Sequence, residues 1–270
     1  MRTALILLGT ALLVATALAP GWAQHAEPPV SEPAPSTDLP PIETTSRKVK
    51  ASKNPDFPPA LGPAPTMVYV IVFCDYRDDR CARMTRAVRQ IANEWPEEVR
   101  VEFRHFPQAG HAWAKGAAVA ALAAHRQGKF WEMHDCLFAH QPTLDDSTPE
   151  TCARETGLDL ARFERDRTSP RLAARVDREV ALARRLGIHQ VPAYTINGRL
   201  FVGWGTWELL RGSVDEERRQ MAALRKQGKS IHQAQVARSR QNAPKSADAL
   251  AAYAELMKHL HGGLAPAARP

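Results

Sequence analysis

The chain has 270 residues, of which 44% are hydrophobic and 24% charged, with a formal net charge of +7. That length can bury a real hydrophobic core in one large domain or two small ones, which excludes a short tethered peptide. The positive charge lies largely on arginines interleaved with acids, as from Arg171 to Arg185 with Asp177 and Glu179. This is the pattern of a solvated helix face; a nucleic-acid partner, which needs basic residues clustered with stacking aromatics, is excluded.

Residues 1–23 carry the pattern of a secretory signal peptide: Arg2 supplies the positive start, Ala4 to Ala19 the apolar run, and Gly21-Trp22-Ala23 a small-x-small site, with cleavage expected after Ala23. The apolar run is shorter than the ~20 residues that span a bilayer, and no cysteine follows it to take a lipid. The expectation is a periplasmic or secreted protein with no stable membrane insertion after signal cleavage; an uncleaved anchor is the alternative. Residues 24–61 are rich in proline, serine and charge without an apolar period, and read as a disordered linker, with order expected from Gly62.

Met67 to Phe73 is continuously apolar and β-prone, which predicts a central strand covered on both faces. Cys81, Met84, Val88, Ile91 and Trp95 then recur at helical spacing, and Pro96 closes that helix. Val99, Val101 and Phe103 alternate with Arg100, Glu102 and Arg104, predicting a half-buried strand. From about 112 to 188 the pattern is helical, broken at Gly128, Pro142, Pro149 and Pro170, with Trp113, Phe130, Trp131, Met133 and Phe138 expected in its core. Ala193 to Ile196 and Leu200 to Val202 flank Asn197-Gly198, a strong hairpin signal, with Pro192 directly before it. Three further helices are predicted from Thr206 to about Leu260, with breaks at Gly228 and Pro244. No internal repeat or Gly-rich phosphate loop is present.

With these motifs in place, the sequence from about Gly62 to Arg211 resembles the DsbA-like branch of the thioredoxin fold, in which helices are inserted into a thioredoxin sheet. The resemblance rests on Gly62-Pro63-Ala64, on Phe73-x-Asp75-Tyr76 ending at Cys81, and on Phe106-Pro107 with His111. It continues through Gly128-Lys129-Phe130-Trp131-Glu132-Met133-His134-Asp135, Gly157-Leu158-Asp159 and Val191-Pro192-Ala193-Tyr194-Thr195-Ile196-Asn197-Gly198-Arg199. It implies an α/β domain over 62–212, with a helical insertion at about 112–188 and a helical C-terminal extension over 213–270. It also implies a cis-proline at Pro192, where the backbone of Val191 pairs with an extended substrate, and partners that are extended polypeptides or cysteine-containing client proteins. No cofactor is implied.

The departures concern chemistry. Relatives carry an attacking cysteine at the position of Asp78, usually proline at Asp79, and often a buried acid at Val72, so Asp78-Asp79-Arg80-Cys81 stands in place of Cys-x-x-Cys. A carboxylate cannot attack a disulfide to form a mixed disulfide. Asp78 and Asp79 are expected to cap a helix start instead, and no metal site is expected, for want of His or Cys at ligand spacing. Cys81 corresponds to the shielded second thiol of relatives, and is either inert or a residual reactive thiol.

Four cysteines, Cys74, Cys81, Cys136 and Cys152, allow three complete pairings. Cys74 shares a strand face with Val72 and could approach Cys81, but strand-end and helix positions are expected to exceed the ~7 Å Cα limit for a bridge. Cys136 and Cys152 are either disulfide partners or two buried small hydrophobes. The favoured function is an exported polypeptide-binding or chaperone-like module working through Val191 and Pro192 without dithiol–disulfide exchange. The alternative is a residual thiol:disulfide oxidoreductase using Cys81 alone or paired with Cys74.

Overall fold

The run of apolar residues predicted to lie mid-sheet does so, and the sheet is built outward from it. The computed structural model describes residues 49–52 and 54–260; the expected signal peptide and the linker up to residue 48 lie outside the described residues. Strand β2 (Val68–Cys74) is buried along its whole length. It pairs in parallel with β3 (Val99–His105) and antiparallel with β4 (Ala193–Ile196). The edges are β1 (Ala60–Leu61) beside β3 and β5 (Arg199–Val202) beside β4, giving the order β1-β3-β2-β4-β5. Edge strand β1 falls inside the stretch expected to be linker, so order begins earlier than Gly62. Proline is tolerated at a sheet edge, and here the Pro59 carbonyl accepts from the Phe103 N–H at 2.9 Å.

Helix α1 (Asp79–Glu94) connects β2 to β3 and buries Met84, Val88 and Ile91, the apolar stripe read from the sequence. Helices α2 (Ala114–His125), α3 (Phe130–Ala139), α4 (Thr148–Glu155), α5 (Leu160–Arg167) and α6 (Pro170–Arg185) form the block between β3 and β4. Phe130 and Met133 are in its core and Trp131 and Phe138 pack partly against it. Trp113 is not core: it sits at the α2 N-cap with φ 67° and is half exposed, because the helix starts only at Ala114, leaving Trp113 off the helical stripe.

The alternation in β3 predicts one wet face, yet Arg100, Glu102 and Arg104 are all buried. Arg100 Nε approaches Glu102 at 3.1 Å and Arg104 Nη2 approaches it at 3.6 Å, so the row is an internally paired set of charges. Buried charge survives only when paired in this way.

The hairpin turn carries φ 43° at Asn197 and 92° at Gly198, the left-handed pair that a tight two-residue connection requires. Asn197 is buried and also clamps the sheet: its Oδ1 accepts from the Tyr69 N–H at 2.9 Å and its Nδ2 donates to the Met67 carbonyl at 3.2 Å. Helix α7 (Trp207–Lys226) brings Glu217 to the same point, where it meets Arg238 of α8 (Ile231–Asn242), and Asn242 donates to the Asn197 carbonyl at 3.2 Å. Helix α9 (Ala247–Leu260) is held by the Tyr253 hydroxyl donating to Ser239 at 3.0 Å and by Arg185 pairing with Glu255 at 2.7 Å. Replacing Asn197 with Ala strands the Tyr69 N–H and places a Cβ residue without compensating bonds in the left-handed region. Urea unfolding of Asn197→Ala is expected to show a loss of about 2–4 kcal/mol. Asn197→Gly, which relieves the backbone but not the lost bonds, is expected to fall between the two.

Candidate active site

Strand β2 ends at Cys74 and α1 starts at Asp79, leaving four residues, Asp75 to Asp78, to reverse the chain. That turn is tight: the Asp78 N–H donates to the Asp75 carbonyl at 3.2 Å. It brings Cys81 back over the strand end, and Cys74 and Cys81 are joined in a disulfide with their Cα atoms 5.5 Å apart. The expectation that these positions lie too far apart is therefore corrected. Strand and helix rise alone overestimate the separation, because the turn folds the first helical residues onto the strand it left. Both sulfur residues are buried, Cys74 at 1% and Cys81 at 0% exposure, so an external thiol has no direct line to the bond.

Asp78 is the N-cap of α1. Its carboxylate accepts from the backbone N–H of Arg80 at 2.9 Å and of Cys81 at 3.2 Å, and pairs with the Arg80 guanidinium at 2.7 Å. These contacts satisfy orphan donors of the first turn and place negative charge at the positive end of the helix. Asp79 is exposed and pairs with Arg83 at 3.3 Å.

Asp75 organises the other side of the turn. Its buried carboxylate accepts from the Arg77 N–H at 2.7 Å and the Gln108 N–H at 2.8 Å, and lies 2.7 Å from His111 Nδ1, while its own N–H points at Cys81 Sγ, 3.3 Å away. Spacing did not single out this Asp75–His111 pair as a site; the signal available was the acid in Phe73-x-Asp75-Tyr76 and the histidine shortly after Pro107. His189, the histidine nearest Pro192 in sequence, is exposed instead. Beneath the turn, Tyr76 Oη and His134 Nδ1 share a hydrogen bond at 3.0 Å. Burial pushes the Tyr76 hydroxyl well above and the His134 imidazole well below their ordinary pKa values, so both are neutral.

The Val191–Pro192 bond is cis, and both residues are buried at the entrance to β4. The antiparallel register sets Phe73 opposite Ala193, and continuing it by one residue sets Cys74 opposite Pro192. Strand register thus brings the disulfide and the proline together from positions far apart in sequence. Val72, where relatives often carry an acid, is fully buried among apolar residues. Cys136 and Cys152 are joined in a second disulfide with Cα atoms 5.7 Å apart, tying α3 to α4. All four cysteines are paired. The cavity of about 290 Å³ lined by Arg104, Arg175, Arg178 and Glu179 is elsewhere, and none of its lining residues is one of the cysteines or Pro192.

Set beside known proteins, the chain matches the thioredoxin family over residues 56–216. It belongs to that family. A thioredoxin-like oxidoreductase from Silicibacter pomeroyi DSS-3 superposes with a TM-score of 0.54 at 30% identity, covering 60% of this chain and 92% of that one. The thiol–disulfide exchange protein alpha-DsbA2 from Wolbachia pipientis superposes with a TM-score of 0.54 at 25% identity, covering 59% and 86%. Among curated proteins, a Na(+)/H(+) antiporter NhaA 3 from Salinispora tropica is 35% identical over 162 residues, which is 60% of this chain and 25% of that protein. The chain therefore spans about a quarter of the length of such relatives. Among the described residues no helix is long and apolar enough to cross a membrane. The thioredoxin fold here is of the DsbA-like form, with the helical block between β3 and β4.

Two measurements check this thioredoxin-type site. Asp78→Ala is expected to destabilise the protein by about 1–2 kcal/mol through loss of the cap, with Asp78→Asn retaining most of it, as read by chemical unfolding. The second concerns His105, the residue paired with Cys74 across the sheet. Its Nδ1 lies 2.8 Å from Glu179 of α6, whose carboxylate also accepts from the His105 N–H at 2.8 Å. Burial raises the Glu179 pKa, but the hydrogen bond and charge of His105, with Arg104 and Arg175, outweigh it and hold it at about 2 against an ordinary 4.5. A carboxylate depressed on folding adds stability that is complete above its unfolded pKa and disappears as pH falls toward its folded one. Stability is expected to drop between about pH 4.5 and pH 2, and Glu179→Gln to flatten that part of the profile.

Proposed function

We propose that this chain is an exported thiol–disulfide exchange protein of DsbA-like type in which Cys74–Cys81 replaces the Cys-x-x-Cys pair. The observation that carries this reading is that Cys81, the family's second thiol, is bridged, and bridged to Cys74, which the strand register places beside Pro192. The sulfur missing at position 78 is thereby supplied from the strand.

Helix position decides the polarity of exchange. Cys81 is the third residue of α1, where the helix N-terminus stabilises a thiolate, and the Asp75 N–H is aimed at its sulfur. Asp78 opposes this with its negative charge, which Arg80 offsets. The better leaving group is therefore Cys81. A client thiolate attacks Cys74 Sγ, the Cys74–Cys81 bond breaks, and Cys81 departs as thiolate. The second client thiolate then displaces Cys74. Two electrons pass to the protein, the client gains a disulfide, and the two client protons end on Cys74 and Cys81; a disulfide-bearing partner restores the bridge for another round. Because both sulfurs are buried, each exchange waits for the Asp75–Asp78 turn to open, and turnover is slow. The client lies as an extended segment along Val191 and Pro192, adding to the sheet in the manner of β-augmentation.

Burial of the pair favours one rival reading, a polypeptide-binding module that uses the same platform without electron transfer. Oxidation of a dithiol peptide separates the two. The protein is expected to oxidise the peptide slowly, Cys74→Ser and Cys81→Ser each to abolish that oxidation, and Cys81→Ser offered a disulfide-bearing partner to hold a mixed disulfide at Cys74, whose thiolate attacks the partner's disulfide and releases one of its thiols. Asp78→Cys is expected to accelerate exchange by about tenfold or more by restoring an attacking thiol at the N-cap of α1. Unchanged turnover in Cys74→Ser sinks the relocated pair, and peptide binding without any exchange establishes the binding module.

A further inference from the structure

The second disulfide sits in a setting that its structural role does not require. Cys136 lies one helical turn before His140, the C-cap of α3, and Cys152 lies one turn before Glu155, the last residue of α4. The i,i+4 and i,i+3 spacings put each pair on one face of its helix, and the two faces meet. His140 Nδ1 is 3.5 Å from Cys136 Sγ and 3.9 Å from Cys152 Sγ, and a Glu155 carboxylate oxygen is 3.3 Å from Cys136 Sγ. The two sulfurs and a His140 nitrogen all lie within 4.8 Å of one another.

We propose that Cys136, His140 and Cys152 form a Zn²⁺ site once the Cys136–Cys152 bond is reduced, with Glu155, beside Cys136, the nearest carboxylate able to swing in as the fourth ligand. Zinc takes four ligands tetrahedrally, with bonds of about 2.3 Å to sulfur and about 2.0–2.1 Å to nitrogen or oxygen, which puts neighbouring sulfur and nitrogen or oxygen donors about 3.6 Å apart. The two separations of His140 Nδ1 from the sulfurs, 3.5 and 3.9 Å, already bracket that value. The two sulfurs are the exception: they must part from bonding distance to about 3.8 Å, which rotation of the two cysteine side chains achieves at an unchanged Cα separation of 5.7 Å. His140 Nδ1, now 3.0 Å from the Cys136 carbonyl, exchanges that contact for the metal.

Oxidation state then selects the occupant. In the disulfide the sulfurs carry no charge and are bonded to each other, so the metal has no thiolate to bind. A dithiol reductant transfers two electrons and two protons, becoming a disulfide itself and leaving two thiols; Zn²⁺ then binds both sulfurs as thiolates and releases the two protons. Either the covalent bond or the metal clamps α3 to α4, never both. Neither cysteine of the redox pair is involved, so the site is independent of the exchange proposed for Cys74 and Cys81.

Zinc titration of the full chain, by calorimetry or against a chromophoric chelator, tests this directly. Oxidised protein is expected to bind no zinc at these residues, and protein reduced and freed of reductant to bind one ion. Cobalt substituted for zinc is expected to give a thiolate-to-metal charge-transfer band that Cys152→Ser removes. His140→Ala, which leaves the disulfide able to form and so reports its own folding, is expected to weaken zinc by about tenfold or more. Wild-type affinity in His140→Ala overturns the proposal, as does reduced protein that binds no zinc. Zinc binding that survives Cys152→Ser but disappears in Cys74→Ser or Cys81→Ser overturns it too, by assigning the metal to the other pair.

Discussion

The site depends on how one buried carboxylate ties down one short turn. Asp75 accepts bonds from Arg77 and Gln108, meets His111 at 2.7 Å and directs its own N–H at Cys81 Sγ. Without those bonds, four residues between a strand and a helix can leave in many directions; with them, α1 departs so that its third residue lies against the strand end. A buried, multiply bonded carboxylate is costly to leave unsatisfied, which makes the turn close to all-or-none. The same constraint shields the disulfide, because the segment that brings the sulfurs together also covers them.

The helical block holds the turn from outside. Gln141 donates to the Tyr76 carbonyl at 2.7 Å, and Arg77 donates to the Leu144 carbonyl at 3.2 Å. Tyr76 itself stands in an aromatic cluster with Phe103, His134 and Phe138. Gln141 follows His140, so the segment carrying one ligand of the proposed zinc site also grips the redox turn. The two sulfur pairs are thus chemically separate but mechanically adjacent, and the Cys136–Cys152 link reinforces the wall on which the first pair leans.

Several elements were readable because their signals are local. Whole-strand burial of β2 follows from an unbroken apolar run, the α1 face from 3.6-residue periodicity, and the hairpin from Asn197-Gly198, whose left-handed torsions few other dipeptides accept. Local signals failed where a neighbour overrode them. Arg100, Glu102 and Arg104 alternate as a wet face does, but they are covered, and both arginines lean on the one Glu102 carboxylate between them. Trp113 matched the helical stripe on paper, and a helix start one residue later put it in solvent. The prolines before Ala60 suggested a loose linker, and the edge of β3 recruited that segment as a strand.

The sequence by itself determined the family, the absence of sulfur at position 78 and the capping role of Asp78, because each is a property of residue type at a known place in a strand–turn–helix motif. Only the tertiary structure decided which cysteines meet. A disulfide depends on two Cα atoms lying within a few ångströms with suitably aimed side chains, and that distance was set by the Asp75 turn for one pair and by the packing of α3 on α4 for the other.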